Sequence, residues 1–312
     1  MDISRTNNDT APISTANPTQ KISIETHHGP AEALPEKPLV IIQPKKAWSA
    51  IDLRELWAFR ELLYFLTWRD VKVRYKQTLF GVAWVVMQPL LSTLIFTAFL
   101  GKLARVPSDG LPYPIFVYAA ILPWTFFSQA VVNSGNSLVN SAHLITKVYF
   151  PRMIIPAAAV AARLLDFAIA FLILLGLMLY YGVQFGAGML LLPFLTLVVA
   201  LLAFALGMWL SAVNVKYRDV GVALPVLIQF WMYASPVVYP ASLVYASNLS
   251  QTWKTLYMLN PVVGIVENFR AAIFGTRFNW PALAVTCGFT IVMLVGGAYE
   301  FRRMERQFAD VA

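Results

Sequence analysis

Long apolar runs separated by short polar breaks dominate the chain from about residue 80 onward. Six of them lie near residues 80–101, 113–138, 153–181, 189–213, 222–240 and 281–300. Each is close to the ~20 residues a helix needs to cross a bilayer, so the pattern predicts an all-α membrane protein with six transmembrane helices. The second run ends in Asn133, Ser134, Asn136 and Ser137. That helix is expected to continue beyond the membrane.

Two other stretches break the pattern. In residues 47–79, Leu56, Phe59, Leu63 and Leu66 recur at helical spacing while Arg54 and Glu61 fall elsewhere. This predicts an N-terminal amphipathic helix in the membrane interface. Arg69, Lys72, Arg74 and Lys76 form a basic collar before the first span. They are candidates to meet lipid phosphates, although a plain electrostatic anchor accounts for them equally well. Between spans five and six, the apolar pieces 256–259, 262–266 and 271–274 are interrupted by Asn260-Pro261. They are too broken for one crossing. The reading is two short helices over 254–275 that form a re-entrant periplasmic hairpin, a geometry tolerated only where protein or water surrounds the backbone.

Residues 1–46 are rich in Thr, Asn, Pro, Ser and charge, with no apolar run resembling a signal peptide. They are read as a disordered cytoplasmic tail. The chain thus divides into a tail (1–46), an interface helix with its collar (47–79) and a six-span domain (80–308).

Composition agrees with this division. Of 312 residues, 58% are hydrophobic and 13% charged, against about 25% charged in ordinary soluble domains. The net charge of +8 comes from residues flanking apolar runs, which argues for a membrane surface and against nucleic acid. With the N-terminus inside, the inner segments hold 18 Lys and Arg and the outer loops 5. Without residues 1–46 the inner count is still 13, so both termini are expected in the cytoplasm. The single cysteine, Cys287, lies in the last apolar run and is read as an ordinary buried residue.

The chain offers little catalytic chemistry. It has no phosphate-cradling Gly-x-x-x-x-Gly-Lys-Ser/Thr loop, no His-Glu-x-x-His and no Gly-x-Ser-x-Gly. His27, His28 and His143 suggest no metal site, and no catalytic residue is assigned. Asp166 is the clear carboxylate within a span, one turn from Arg163. An intrahelical ion pair facing the bundle is favoured over a transport role. Any energy for movement is expected from another chain.

Three short elements remain. The run Arg74-Tyr75-Lys76-Gln77-Thr78-Leu79-Phe80-Gly81-Val82-Ala83-Trp84 leads into the first span, followed by Gln88-Pro89. Asn140 to Arg152 is a polar-to-amphipathic inner segment in which Tyr149 and Phe150 sit beside Lys147, Pro151 and Arg152, suggesting an exposed docking knob. Tyr217-Arg218-Asp219 forms a mixed-charge inner turn.

In this order, together with Leu259-Asn260-Pro261 and Phe269-Arg270, these elements resemble the membrane subunit of polysaccharide-exporting ABC transporters of the type-2 exporter class. The resemblance covers about residues 50–308. It implies a homodimer in the bacterial inner membrane, two separate ABC ATPase subunits and a lipid-linked glycan such as O-antigen, capsule or teichoic acid. ATP and magnesium would sit on the partner; none is expected on this chain. The resemblance also implies roles for residues. His143, Lys147, Tyr149, Phe150, Pro151 and Arg152 would couple to the ATPase, flanked by Tyr217, Arg218 and Asp219. Asn260, Pro261, Phe269 and Arg270 would form a periplasmic gate. Candidate channel-lining aromatics are Trp84 and Phe96, Trp124 and Phe127, and Phe230 and Tyr233, with spans three and four outside the path. Aromatics also belong at lipid interfaces, so any one of them has that competing explanation. Alternatives are a type-2 exporter of lipids or drugs and, less well supported, a membrane glycosyl- or acyltransferase, for which Asp109, Glu267 and Asp219 are too scattered.

Overall fold

The computed structural model describes residues 57–76, 83–145 and 150–305. The tail, the start of the interface helix, Gln77 to Val82, and Lys147 and Tyr149 of the expected coupling segment lie outside the described residues. Within them, every regular element is helical. In chain order these are α1 (Arg60–Lys76), α2 (Ala83–Phe96) with a π-helical extension Thr97–Leu103, α3 (Tyr113–Asn140), α4 (Ala142–Ile145) and α5 (Ile154–Tyr180). A 3-10 turn Ala187–Leu191 then leads into α6 (Leu192–Lys216), followed by α7 (Asp219–Tyr233). The remainder is α8 (Ser242–Ala246), α9 (Gln251–Met258), α10 (Pro261–Phe274) and α11 (Trp280–Glu305).

Five helical segments are long and apolar enough to cross a membrane: 83–103, α3, α5, 187–216 and α11. The expected fifth span is shorter than its apolar run. Residues 219–233 are helical, but the chain then turns through Ser235-Pro236 and its helix stops. The first span continues through Pro89 without ending and widens into the π segment above it.

The helix α3 is central. In its most apolar window 78% of residues are buried, against 11% for the first span, which sits at the periphery. Close helix contacts depend on two glycines. A Cβ at Gly207 of α6 would run into the Ser134 side chain of α3, and one at Gly264 of α10 into Ala282 and Thr286 of α11. The large core is built on α3, α5, α6 and α10. A second core at one end, called here the lower end, joins Leu66, Leu138, Phe150, Met153, Met208 and Phe301.

Phe59, just before α1, and Leu62, Leu63 and Leu66 on it pack into this lower core; Leu56 of the expected apolar face lies outside the described residues. The opposite face is not simply polar: Trp57, Tyr64, Phe65 and Trp68 are exposed. The helix follows the lower half of α5, from the core around Met153 up to Asp166.

The exposed aromatics at the ends of α11, Trp280 and Tyr299, mark two levels. At 1.5 Å per residue they are about 28 Å apart, near the ~30 Å hydrocarbon thickness of a bilayer.

Candidate functional site

A polar layer crosses the lower half of the bundle. Arg163 and Asp166 share one face of α5, and their side chains pair at 3.0 Å. The expected ion pair therefore forms, and it extends to a second helix. Arg74 of α1 pairs with the same Asp166 oxygen, and the Tyr75 hydroxyl donates to its other oxygen. Burial, reinforced by Asp166, pushes the Tyr75 hydroxyl up to about 12, so it remains a donor at neutral pH. Arg163 also donates to Gln129 Oε1 of α3 at 2.7 Å, and Gln129 donates to Gln88 Oε1 of α2 at 3.0 Å. One network thus joins four helices. These groups surround a cavity of about 130 Å³ whose remaining walls include Trp84, Phe126 and Phe167. Gln88 and Gln129 were not selected from sequence as site residues. An amide inside an apolar span is the signal that marks them.

The upper end is organised by Asn260 and Arg270. Asn260 caps α10, its Oδ1 accepting from the Val262 amide, and Pro261 fits the first helical position. The same oxygen accepts from Trp231 Nε1 at 2.9 Å, and Asn260 Nδ2 donates to Ser235 Oγ at 2.9 Å. The break between α9 and α10 is therefore tied to the end of α7. The tip packs beside Thr286, which donates to the Pro261 carbonyl, one to two turns below the start of α11. Arg270 is buried at 7% exposure and donates to the carbonyls of Phe116, Pro236, Val237 and Tyr239. Its guanidinium lies 3.6 Å from the Phe116 ring centroid. Phe269 is fully buried among core residues, with Phe167 against it.

At the lower end, Asn214 shapes the inner turn. It donates to Gly135 O and Asn136 Oδ1 and accepts from the Gly221 amide. Lys216, Tyr217, Arg218 and Asp219 project from that turn and are exposed. His143 on α4 is also exposed. Phe150 differs from the expectation of an exposed knob. It is 7% exposed, because the chain folds back there and seats the ring in the lower core. Pro151 and Arg152 are half-buried, and Arg152 donates to the Glu305 carbonyl.

The candidate channel aromatics separate into two groups. Trp84, Phe230 and Tyr233 are exposed, whereas Trp124 and Phe127 are buried and Phe96 packs on the core. Trp124 and Phe127 contact each other, and Phe127 meets Trp231 edge-on, so both are packing residues in the subunit. The basic collar separates in the same way. Lys72 and Lys76 are exposed, with Lys72 over the Trp68 ring, and Arg69 pairs with its neighbour Asp70. Arg74 turns inward to Asp166.

Apolar spans enclosing a polar layer at one end, with the break between α9 and α10 tied to the end of α7 at the other, define a polytopic membrane protein. The chain belongs to the ABC-2 type transporter family, whose profile matches residues 61–274. It is similar to the O-antigen export system permease protein RfbA of Myxococcus xanthus, 27% identical over 83% of this chain and 98% of that protein. It is also similar to RfbA of Klebsiella pneumoniae, 23% identical over 80% of this chain and 95% of that protein. The polysialic acid transport protein KpsM of Escherichia coli is 23% identical over 76% of this chain and 91% of KpsM.

Proposed function

We propose that this chain is the permease subunit of an ATP-driven polysaccharide exporter, forming as a homodimer the path for a lipid-linked glycan across the bacterial inner membrane. O-antigen or capsule is the class of cargo the relatives' names support. The observation that carries the reading is correspondence along nearly the full length of an O-antigen export permease. The lower end is taken as cytoplasmic, with both termini there, as the Lys and Arg distribution requires. The sixth crossing is then α7, and the α9–α10 pair is the re-entrant hairpin.

The exposed faces of α2 and α7 support a dimeric path. The helix α7 buries Leu224, Ile228 and Met232 against the core, with Trp231 packed beside them. Around that stripe Val226, Leu227, Phe230 and Tyr233 are exposed, and Gln229 reaches Tyr233 at 3.3 Å. On α2, Gln88 is exposed among Trp84, Met87 and Leu91. Amides on such faces suit a partner or a hydrated glycan better than lipid. Trp84, Phe230 and Tyr233 therefore remain the aromatics assigned to the path, where ring faces can stack on sugar C–H surfaces.

Two copies of a separate ABC ATPase would dock on the lower face. The exposed residues His143, Tyr217, Arg218 and Asp219 supply the contact, with Phe150 holding it in shape from beneath. Purification of the tagged chain from its native membrane should recover an ATPase subunit, and Tyr217→Asp combined with Arg218→Asp should reduce that recovery at least tenfold. A stable chain that never recovers an ATPase contradicts the reading.

A further inference from the structure

The cavity in the lower polar layer has a composition that the ion pair alone does not explain. Asp166 is shared by two guanidinium groups, Arg74 from α1 and Arg163 from its own helix. Arg163 is therefore not neutralised by a carboxylate of its own. Its Nε is buried and has no hydrogen-bond partner, which is costly for a group in a low-dielectric setting. By contrast, Arg270 has four carbonyl acceptors and borders neither of the described cavities.

Position adds a second constraint. From Arg163 to the end of α5 at Tyr180 the helix rises about 25 Å, so the layer lies just inside the lower edge of the ~30 Å hydrocarbon region. At that depth a small anion in water has no ready access, but the headgroup of a lipid in the inner leaflet does. The walls match such a ligand. Arg163, Gln129 and Gln88 offer donors on one side, and Trp84, Phe126 and Phe167 offer apolar surface on the other. The volume of about 130 Å³ is large enough for a phosphate-sized group.

We infer that this cavity is a binding site for the phosphate group of a membrane lipid, with Arg163 as the principal cation and Gln88 and Gln129 as positioning donors. If the exporter reading of the chain holds, on which this point rests, the lipid is the glycan's polyprenyl carrier, and the site lies where that carrier would enter between α1 and α2. An anionic phospholipid has the same phosphate chemistry and is the other source.

The test is native mass spectrometry of the purified full chain in detergent, with polyprenyl phosphate, phosphatidylglycerol, phosphatidylcholine or inorganic phosphate added singly. Wild type should retain polyprenyl phosphate, and Arg163→Gln should reduce retention at least tenfold. Arg163→Lys should retain more than Arg163→Gln. Gln88→Leu, on the exposed face of α2, should weaken retention several-fold with an unchanged melting temperature, which keeps the test informative if Arg163→Gln folds poorly. Retention of phosphatidylglycerol equal to polyprenyl phosphate, lost in the same variants, supports the phosphate site and assigns it to bulk lipid. Equal retention by wild type and Gln88→Leu, or retention of phosphatidylcholine as strong as the anionic lipids, overturns the inference. So does inorganic phosphate binding as tightly as either anionic lipid. The assay needs no ATPase, so a failure here is distinct from a failure of the exporter reading.

Discussion

Two arginines, Arg270 buried and Arg163 half-buried, lie at opposite ends of the bundle and are satisfied in different ways. Arg270 is encircled by backbone carbonyls from the turn after α7 and from α3, with the Phe116 ring beneath it. Arg163 shares one carboxylate with Arg74, donates to one amide and lines a cavity. A cation whose hydrogen bonds are filled by fixed backbone is a staple. One that shares its carboxylate and lines a cavity is, on the inference above, placed to hold an anion. The upper end is thereby pinned to a packed core, while the lower end keeps a pocket lined from α1, α2, α3 and α5.

The contrast can be broken by substitution, starting with the largest effect. Arg270→Met should cost about 4 kcal/mol by leaving several carbonyls unsatisfied in a tight core. The readout is a loss of monodisperse protein in detergent size-exclusion, and Arg270→Lys should not rescue it, because an ammonium cannot span the same acceptors. Asp166→Asn should cost about 3 kcal/mol by removing the carboxylate that Arg74 and Arg163 both hold. Thermal unfolding checks this, and adding Arg74→Met should recover part of the loss because one of two neighbouring like charges is removed. Asn260→Ala should cost about 1–2 kcal/mol through the lost helix cap and the Trp231 bond, seen as a modest fall in melting temperature. Phe230→Ala should change subunit stability by less than ~0.5 kcal/mol, since that ring is exposed. Cross-linking at neighbouring α7 positions would show whether the same change alters the proposed dimer.

The parts legible in the sequence are those set by local pattern. Five of the six apolar runs lie within a few residues of helices long enough to cross, because length and composition determine whether a helix can cross, whereas the helix in the fifth stops at Tyr233. The break between α9 and α10 was visible in Asn260-Pro261, since Asn followed by Pro favours a helix start. Burial of single aromatics was not legible. Phe150 beside Tyr149 and Arg152 reads as interfacial, yet Phe301 and Leu66, far away in sequence, help enclose it. Trp124 and Trp84 look alike within their runs, but α3 is enclosed by neighbours and α2 is not. The collar was misleading for a related reason. Four basic residues in eight positions read as one patch, whereas helical geometry turns Arg74 toward Asp166 and leaves Lys72 and Lys76 outside. Arg163 and Asp166 were recognised as a pair, but Gln88 and Gln129 join them only when three more helices meet.

The account rests most on the proposal that this chain moves a lipid-linked glycan with energy from a partner ATPase. Purified chain and its co-isolated ATPase, reconstituted in vesicles with a lipid-linked glycan labelled on its sugar, test this directly. The account predicts that ATP moves the sugar across the bilayer and that omitting either chain abolishes transfer. Transfer that proceeds without ATP, or none with both chains present and ATP being hydrolysed, would contradict it.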